Sequence, residues 1–343
     1  MGMGMEIDGL LIVDKPEGIT SLEVVKGVKR RLRVKKAGHI GTLDPFASGV
    51  LPVVINEGTR LVPFLRDEPK KYEAIVKLGE ETSTDDPTGE VICRKPLGEV
   101  TREQIQDVAQ SFQGKIRQIP PMFSAIKMGG KPLYRLARKG IEVERKEREV
   151  EIFDLQITEI DLPRIGFRVS CSKGTYIRTL GKDIGRKIGC GAHLLQLRRV
   201  QSGLFSLGQA ISWEKVEGLP AGDDLWPWVI SLRDALFDLP EVIGDAELAK
   251  KVRLGREIRV RDLSSSTLPA FDKGAWLRMS SPEEELIAIL KSEVKDTDIQ
   301  GAGPEGIALR PLRVFRQRGS AEGGIYGASA GEEKRDYRPV QNP

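Results

Sequence analysis

Residues 165–185 read IGFRVSCSKGTYIRTLGKDIG, and their hydrophobic period changes partway along. Ile165, Phe167, Val169 and Cys171 fall on every second residue, which puts them on one face of a strand. Lys173 and Gly174 then make a turn. Beyond it Ile177, Leu180, Ile184 and Ile188 recur at the spacing of one helix face, and Gly189 is placed to close the helix. A half-buried strand passing directly into an amphipathic helix points to an α+β class, with helices flanking a sheet.

The neighbouring segments extend that pattern. Residues 10–13 are a short apolar strand, and Thr20 with Glu23 forms a capping box ahead of a helix along Leu22, Val25, Val28 and Leu32. LPVVIN at 51–56 reads as a buried strand, while KYEAIVKLG at 71–79 alternates, with Tyr72, Ala74, Val76 and Leu78 facing inward. The turn residues TSTDDPTG end it. Thr101 with Gln104 starts a helix along Ile105, Val108 and Phe112, with Gly114 as its stop. HLLQLRRVQSGLFSL, from His193, is a further strand bent at Gly203. Together these predict a large mixed, mainly antiparallel sheet with flanking helices over residues 1–238. From about Leu239 one helix and short, evenly spaced strands predict a small C-terminal β-barrel over 239–318. Residues 319–343 hold too few large apolar side chains for a core and are expected to be a mobile tail.

Composition narrows the chemistry. The chain has 343 residues, 39% hydrophobic and 30% charged, and no apolar run long enough to span a bilayer. Its beginning lacks the basic and apolar regions of a secretory signal, so a cytoplasmic location is expected. Three widely spaced cysteines and two histidines argue against a disulfide framework, a zinc knuckle or a histidine-rich metal centre. The net charge of +4 is unevenly spread: residues 23–36 hold seven Lys or Arg against one acid, and residues 115–148 hold ten against three. Such concentration suits a polyanion, with nucleic acid the commonest in a cytoplasm, although a basic stretch can equally be a solvated face. The second stretch is also rich in proline, glycine and aromatic residues. It reads as an excursion from the sheet.

Residues 38–51, GHIGTLDPFASGVL, place a single carboxylate, Asp44, among glycines and small hydroxyl residues. The aspartate either hydrogen-bonds its own turn or serves a site that a ligand can approach closely. If the chain works on nucleic acid without a metal, a carboxylate is the natural nucleophile or base. His39 could touch the same ligand, or be a structural histidine.

These residues carry a resemblance. GHIGTLDPFASGVLPV resembles the signature loop of the bacterial TruB family of tRNA pseudouridine synthases. LIVDKPEGITS, KYEAIVKLG, PPMFSAIKMGGKPLYRLARKG, CSKGTYIRTLGKDIG and HLLQLRRVQSG follow the family's motifs, and the likeness covers roughly residues 9–236. The resemblance implies the pseudouridine synthase fold and isomerisation of uridine 55 in the tRNA T arm, with no cofactor and no metal. It makes Asp44 the catalytic aspartate, acting either on the ribose C1′ or on the C2′ proton. Tyr72 becomes the active-site tyrosine, Arg178 the partner of the aspartate, Tyr176 and Leu197 the lining of the base pocket, and His39 a holder of flipped nucleotides. Lys15 and Pro16 give structural support. The basic excursion at 115–148 corresponds to an RNA-clamping thumb, and the small barrel to a PUA-like RNA-binding domain. The partner implied is the T stem-loop of tRNA, with no guide RNA and no membrane, and the protein is expected to be a monomer. Ile40 and Phe46 stand where threonine and leucine are common. Two other readings stay open on the sequence: an RNA-binding protein with a vestigial pocket, and an RNA-guided relative working in a ribonucleoprotein.

Overall fold

Along Lys70–Leu78 alternate residues are buried, Tyr72, Ala74, Val76 and Leu78 among them, as their spacing predicts. In the computed structural model, which describes residues 7–219, 225–263 and 268–316, this strand lies inside an 11-stranded sheet. The main path across the sheet runs Ile211–Ser212, Gly9–Lys15, Ser48–Ile55, Ala192–Ser202, Lys70–Leu78, Arg164–Cys171, Arg148–Asp161 and Gly114–Gln118. Only two neighbours on it are parallel, Gly9–Lys15 with Ile211–Ser212 and Ser48–Ile55 with Ala192–Ser202. The sheet is therefore mixed and mainly antiparallel, as predicted.

The helices start and stop where side chains satisfy their open ends. α1 (Ser21–Arg31) has the full capping box of Thr20 and Glu23. Its buried face is Val24, Val25 and Val28, continued by Leu32, whereas Leu22, expected inside, is 57% exposed. α2 (Arg102–Gln110) begins on Thr101, whose hydroxyl accepts from Gln104 N, and ends at Ser111 rather than at Gly114. α3 (Leu133–Ala137) is a single short turn. α4 (Ile177–Ile188) closes on Gly189 in the left-handed region, φ 108°, as its position in the sequence predicts. α5 (Trp213–Gly218) packs beside α1 on Val216 and Trp213.

One face of the sheet carries α1, α2 and α4. The register shows this: Arg199 pairs with Tyr72 on one side and with Gly49 on the other, so their side chains share a face. On it Tyr72, Ala74, Val76 and Leu197 pack against α2 and α4, while Leu51, Val53 and Ile55 pack against α1. The far face of Ser48–Ile55 is covered as well, so all eight of its residues are buried.

The basic excursion needs a correction at its ends. Gly114–Gln118 is an edge strand that pairs with residues 148–152, so only the stretch between leaves the sheet. There Lys127–Met128 and Lys131–Pro132 form a two-stranded ribbon ahead of α3.

Towards the C-terminus lie α6 (Ala246–Arg253) and a five-stranded sheet in the order Glu241–Ile243, Trp276–Ser280, Leu286–Ser292, Ile307–Val314 and Ile258–Arg259. It curls as a half-barrel. It is not a detached bead. Leu286, Ile289 and Phe315 share one buried cluster with Leu10, Ile12, Val50 and Val54, and Trp276 meets Phe64 edge-on at 5.3 Å. The expected tail at 319–343 lies outside the described residues. No described helix is long and apolar enough to cross a membrane.

Candidate active site

The loop carrying Asp44 is held from below by backbone contacts that the sequence encodes in small residues. Ser21, the first residue of α1, accepts through Oγ from Leu43 N at 2.9 Å and donates to Leu43 O at 3.0 Å. Lys15 is fully buried and donates Nζ to the carbonyls of Pro16 and Ile19 at 2.8 Å and of Pro45 at 3.2 Å. Burial lowers its pKa to about 8, against the opposing pull of Asp44. The structural support expected of Lys15 thus takes the form of a cation solvated by loop carbonyls.

Arg199 is the second anchor. Its side chain is 1% exposed, and it donates Nε to Val50 O and one terminal nitrogen to Gly41 O, both at 2.8 Å. These two carbonyls bracket the Asp44 loop. Gly49 allows the close approach, because a Cβ there would stand 2.2 Å from Arg199 O and 2.7 Å from Arg199 N, at φ +108°. A Gly49→Ala substitution therefore combines a forbidden backbone region with a backbone clash, and should cost about 3 kcal/mol or more. In a domain of this size that corresponds to a melting temperature lower by roughly 6–12 °C. An unchanged thermal denaturation midpoint would remove this packing argument.

Above these anchors stands the acid. Arg178, on the first turn of α4 and 3% exposed, donates Nε to Asp44 Oδ2 at 2.8 Å. Its other nitrogens reach Thr84 O at 3.0 Å, Phe123 O at 2.7 Å and Asp86 Oδ2 at 3.6 Å. Asp44 itself keeps 34% of its side chain exposed. Removal from bulk water pushes its carboxyl above the usual range, with Asp86 adding to the rise and Arg178 opposing it.

Three of the other predicted residues lie close to this pair, and His39 lies near Arg199. Tyr72 is buried in the cluster that contains Leu43 and Leu197, and its phenol is raised by burial, with the nearby Arg199 cation opposing the rise. Leu197 is 5% exposed and pairs across the sheet with Ala74. Tyr176 is the N-cap of α4 and stays half-buried, with its phenol also raised by burial. His39 ends the Ala37–His39 strand. Burial and the nearby Arg199 lower its pKa, so it is neutral near pH 7, and its buried Nδ1 has no hydrogen-bond partner among the described residues. It shares no described hydrogen bond with Asp44. Of the six predicted residues, then, Asp44 and Arg178 touch through charge, Tyr72 and Leu197 share one buried apolar cluster, Tyr176 lies within reach of the charges of Arg178 and Asp44, and His39 is near Arg199.

Three residues here escaped the sequence reading. Asp86 is buried and accepts through Oδ1 from Thr84 Oγ1, Thr88 N and Thr88 Oγ1 at 2.5–2.9 Å, leaving Oδ2 for Arg178. Its signal was a second Asp-Pro among hydroxyl residues, read only as a turn. Gln118, 1% exposed at the base of the excursion, accepts from Tyr176 N at 3.0 Å and donates to Tyr176 O at 3.3 Å. Arg199 is the third. Gln118 lies outside every recognisable motif, and Arg199 lies within HLLQLRRVQSG, which was read for its strand and for Leu197.

A loop aspartate paired with a buried arginine beside a buried tyrosine and leucine, on a large mixed sheet with flanking helices, defines the chain as a pseudouridine synthase in fold. Solved structures agree. A Cbf5–Nop10–Gar1 complex superposes with a TM-score of 0.65 at 29% identity, covering 90% of this chain and 85% of the other. An H/ACA ribonucleoprotein bound to a substrate RNA containing 2′-deoxyuridine gives 0.65 at 28%, covering 91% and 86%. Residues 29–177 match the N-terminal domain of the TruB family of pseudouridylate synthases, and residues 178–227 match the C-terminal domain of tRNA pseudouridylate synthase B. The tRNA pseudouridine synthase B of Geobacter sulfurreducens is 46% identical over 315 residues, which span 90% of this chain and all of that one. That of Geotalea uraniireducens is 47% identical over 253 residues, 73% of this chain and 80% of the relative. The chain belongs to the TruB family of pseudouridylate synthases.

Proposed function

We propose that this protein converts uridine 55 in the T arm of tRNA to pseudouridine, with Asp44 as the catalytic carboxylate. The observation that carries the reading is the 2.8 Å contact of the buried Arg178 with Asp44, whose side chain stays 34% exposed. Such a pair keeps one oxygen of an ionised carboxylate oriented and the other free for a sugar. The target base must leave its stack to reach it. Tyr72 and Leu197 then receive the uracil between an aromatic and an aliphatic wall, and Tyr176 covers it at the opening. Asp44 either attacks the ribose C1′ or takes the C2′ proton. Either route breaks the N1–C1′ bond, the uracil turns in the pocket, a C5–C1′ bond forms, and the C5 proton is lost as N1 regains one. No net oxidation occurs, so the balance requires no cofactor.

In this reading residues 1–238 form the catalytic domain. The excursion grips the RNA stem, since its cations meet phosphates and Tyr134 and Phe123 offer stacking surfaces. The five-stranded C-terminal half-barrel belongs to a PUA-like RNA-binding domain assigned to 239–318. The bacterial pattern of the excursion favours an enzyme acting without a guide RNA, as a cytoplasmic monomer. The test is to incubate the full chain with an unmodified tRNA transcript and map pseudouridine, with Asp44→Ala as control. Product at uridine 55 without added guide is the expected result. RNA binding by both proteins with product from neither would establish a binding protein instead.

A further inference from the structure

Beyond its first turn, the exposed face of α1 is cationic. Lys26, Lys29 and Arg30 are exposed and their spacing sets them on one stripe continuing from Leu22, and Arg33 is exposed just past the C-cap Leu32. None of the four forms an ion pair with a described residue. The acid in this stretch, Glu23, is held by the Thr20 backbone and hydroxyl of the capping box. Arg31, on the flank, is spent on the carbonyls of Glu217 and Leu219. Lys26 and Arg30 are like charges four residues apart on the helix, an arrangement that opposes the bare helix and that a polyanion relieves, and Lys29 and Arg33 add to the same positive surface.

The stripe is also placed relative to the site. It begins beside Ser21, whose hydroxyl holds Leu43, the residue before Asp44. The basic excursion meets the site from the other side, through Phe123 O on Arg178 and Gln118 on Tyr176. Its edge strand lies six positions along the sheet path from Gly9–Lys15, the strand under α1. At the usual strand spacing that separation is about 29 Å. α1 and α4 stand on one face of the sheet, so the helix bearing the stripe and the helix bearing Arg178 lie on the same side of it. A stem clamped by the excursion, with its loop at Asp44, leaves the α1 flank to nucleotides outside that stem.

We infer that the Lys26–Lys29–Arg30–Arg33 stripe binds the phosphate backbone of tRNA outside the T stem-loop. The inference rests on the proposed T-arm activity, and its test separates the two. Wild type and a Lys26→Gln, Lys29→Gln, Arg30→Gln, Arg33→Gln variant are compared on a full-length tRNA transcript and on an isolated T stem-loop. Binding affinity reads the stripe, and pseudouridine formation by wild type on the stem-loop reads the T-arm activity. The variant should bind full-length tRNA at least tenfold more weakly, with a log–log salt slope shallower by about 3, as expected for four lost phosphate contacts. Its affinity and turnover on the stem-loop should stay within threefold of wild type, which also shows that the site is folded. Equal loss on both RNAs, or loss on neither, overturns the inference whatever the turnover result.

Discussion

Asp44→Asn leaves a folded protein that binds tRNA and does not modify it. Asparagine keeps the shape of aspartate and an oxygen that can still accept from Arg178 Nε, while Arg178 retains Thr84 O, Phe123 O and Asp86. The loop anchors from Lys15, Ser21 and Arg199 reach backbone atoms and are untouched by the change. What is lost is the negative charge, and with it the capacity to form an ester at C1′ or to accept the C2′ proton. Single-turnover rates should fall at least about 10³-fold. Affinity for tRNA should remain within about tenfold, because phosphate contacts supply most of it. A variant that turns over normally would remove Asp44 from the chemistry. One that loses RNA binding outright would make the aspartate a structural residue.

The parts of this protein that were legible from sequence are those in which a local pattern does the specifying. Tyr72, Ala74, Val76 and Leu78 announce their strand by period alone, and Thr20 and Gly189 mark a helix start and a helix end that both form as read. The edge strand Gly114–Gln118 was hidden because its pairing face is short and its exposed residues are charged, which looks like a surface loop. Leu22 misled for a different reason. It keeps helical spacing with Val25, yet lies one position off the buried face set by Val24 and Val28. The contact of Leu286, Ile289 and Phe315 with the catalytic sheet could not be read at all, since long-range packing leaves no local period. The site divides in the same way. Asp44 sits in a loop whose small residues betray it, whereas Asp86, Gln118 and Arg199 matter only through partners brought close by the fold.

Arg178 decides whether Asp44 is usable, and replacing it should move the pH dependence as well as the rate. Burial already pushes the Asp44 carboxyl upward, Asp86 pushes it the same way, and Arg178 is the main cation opposing both. In Arg178→Met the two carboxylates face each other with Lys15 alone among the nearby cations to offset them, so the Asp44 pKa rises further. The sign follows directly. A reaction that needs ionised Asp44 loses rate as pH falls through that pKa, so the acidic limb of the single-turnover profile shifts to higher pH. The thioether also leaves the carbonyls of Thr84 and Phe123 without their donor, at about 1–3 kcal/mol for each buried group left unsatisfied. A lower melting temperature is therefore expected beside the kinetic change, and Arg178→Lys serves to separate them. Lysine restores a positive charge but cannot present the planar fork that reaches Asp44, Thr84 and Phe123 together. Its acidic limb should return most of the way to that of wild type, while its rate stays about 10²-fold low because the carboxylate is no longer aimed. If the acidic limb is the same in wild type, Arg178→Met and Arg178→Lys, then Arg178 does not govern the ionisation of Asp44, and its place in the site is purely structural.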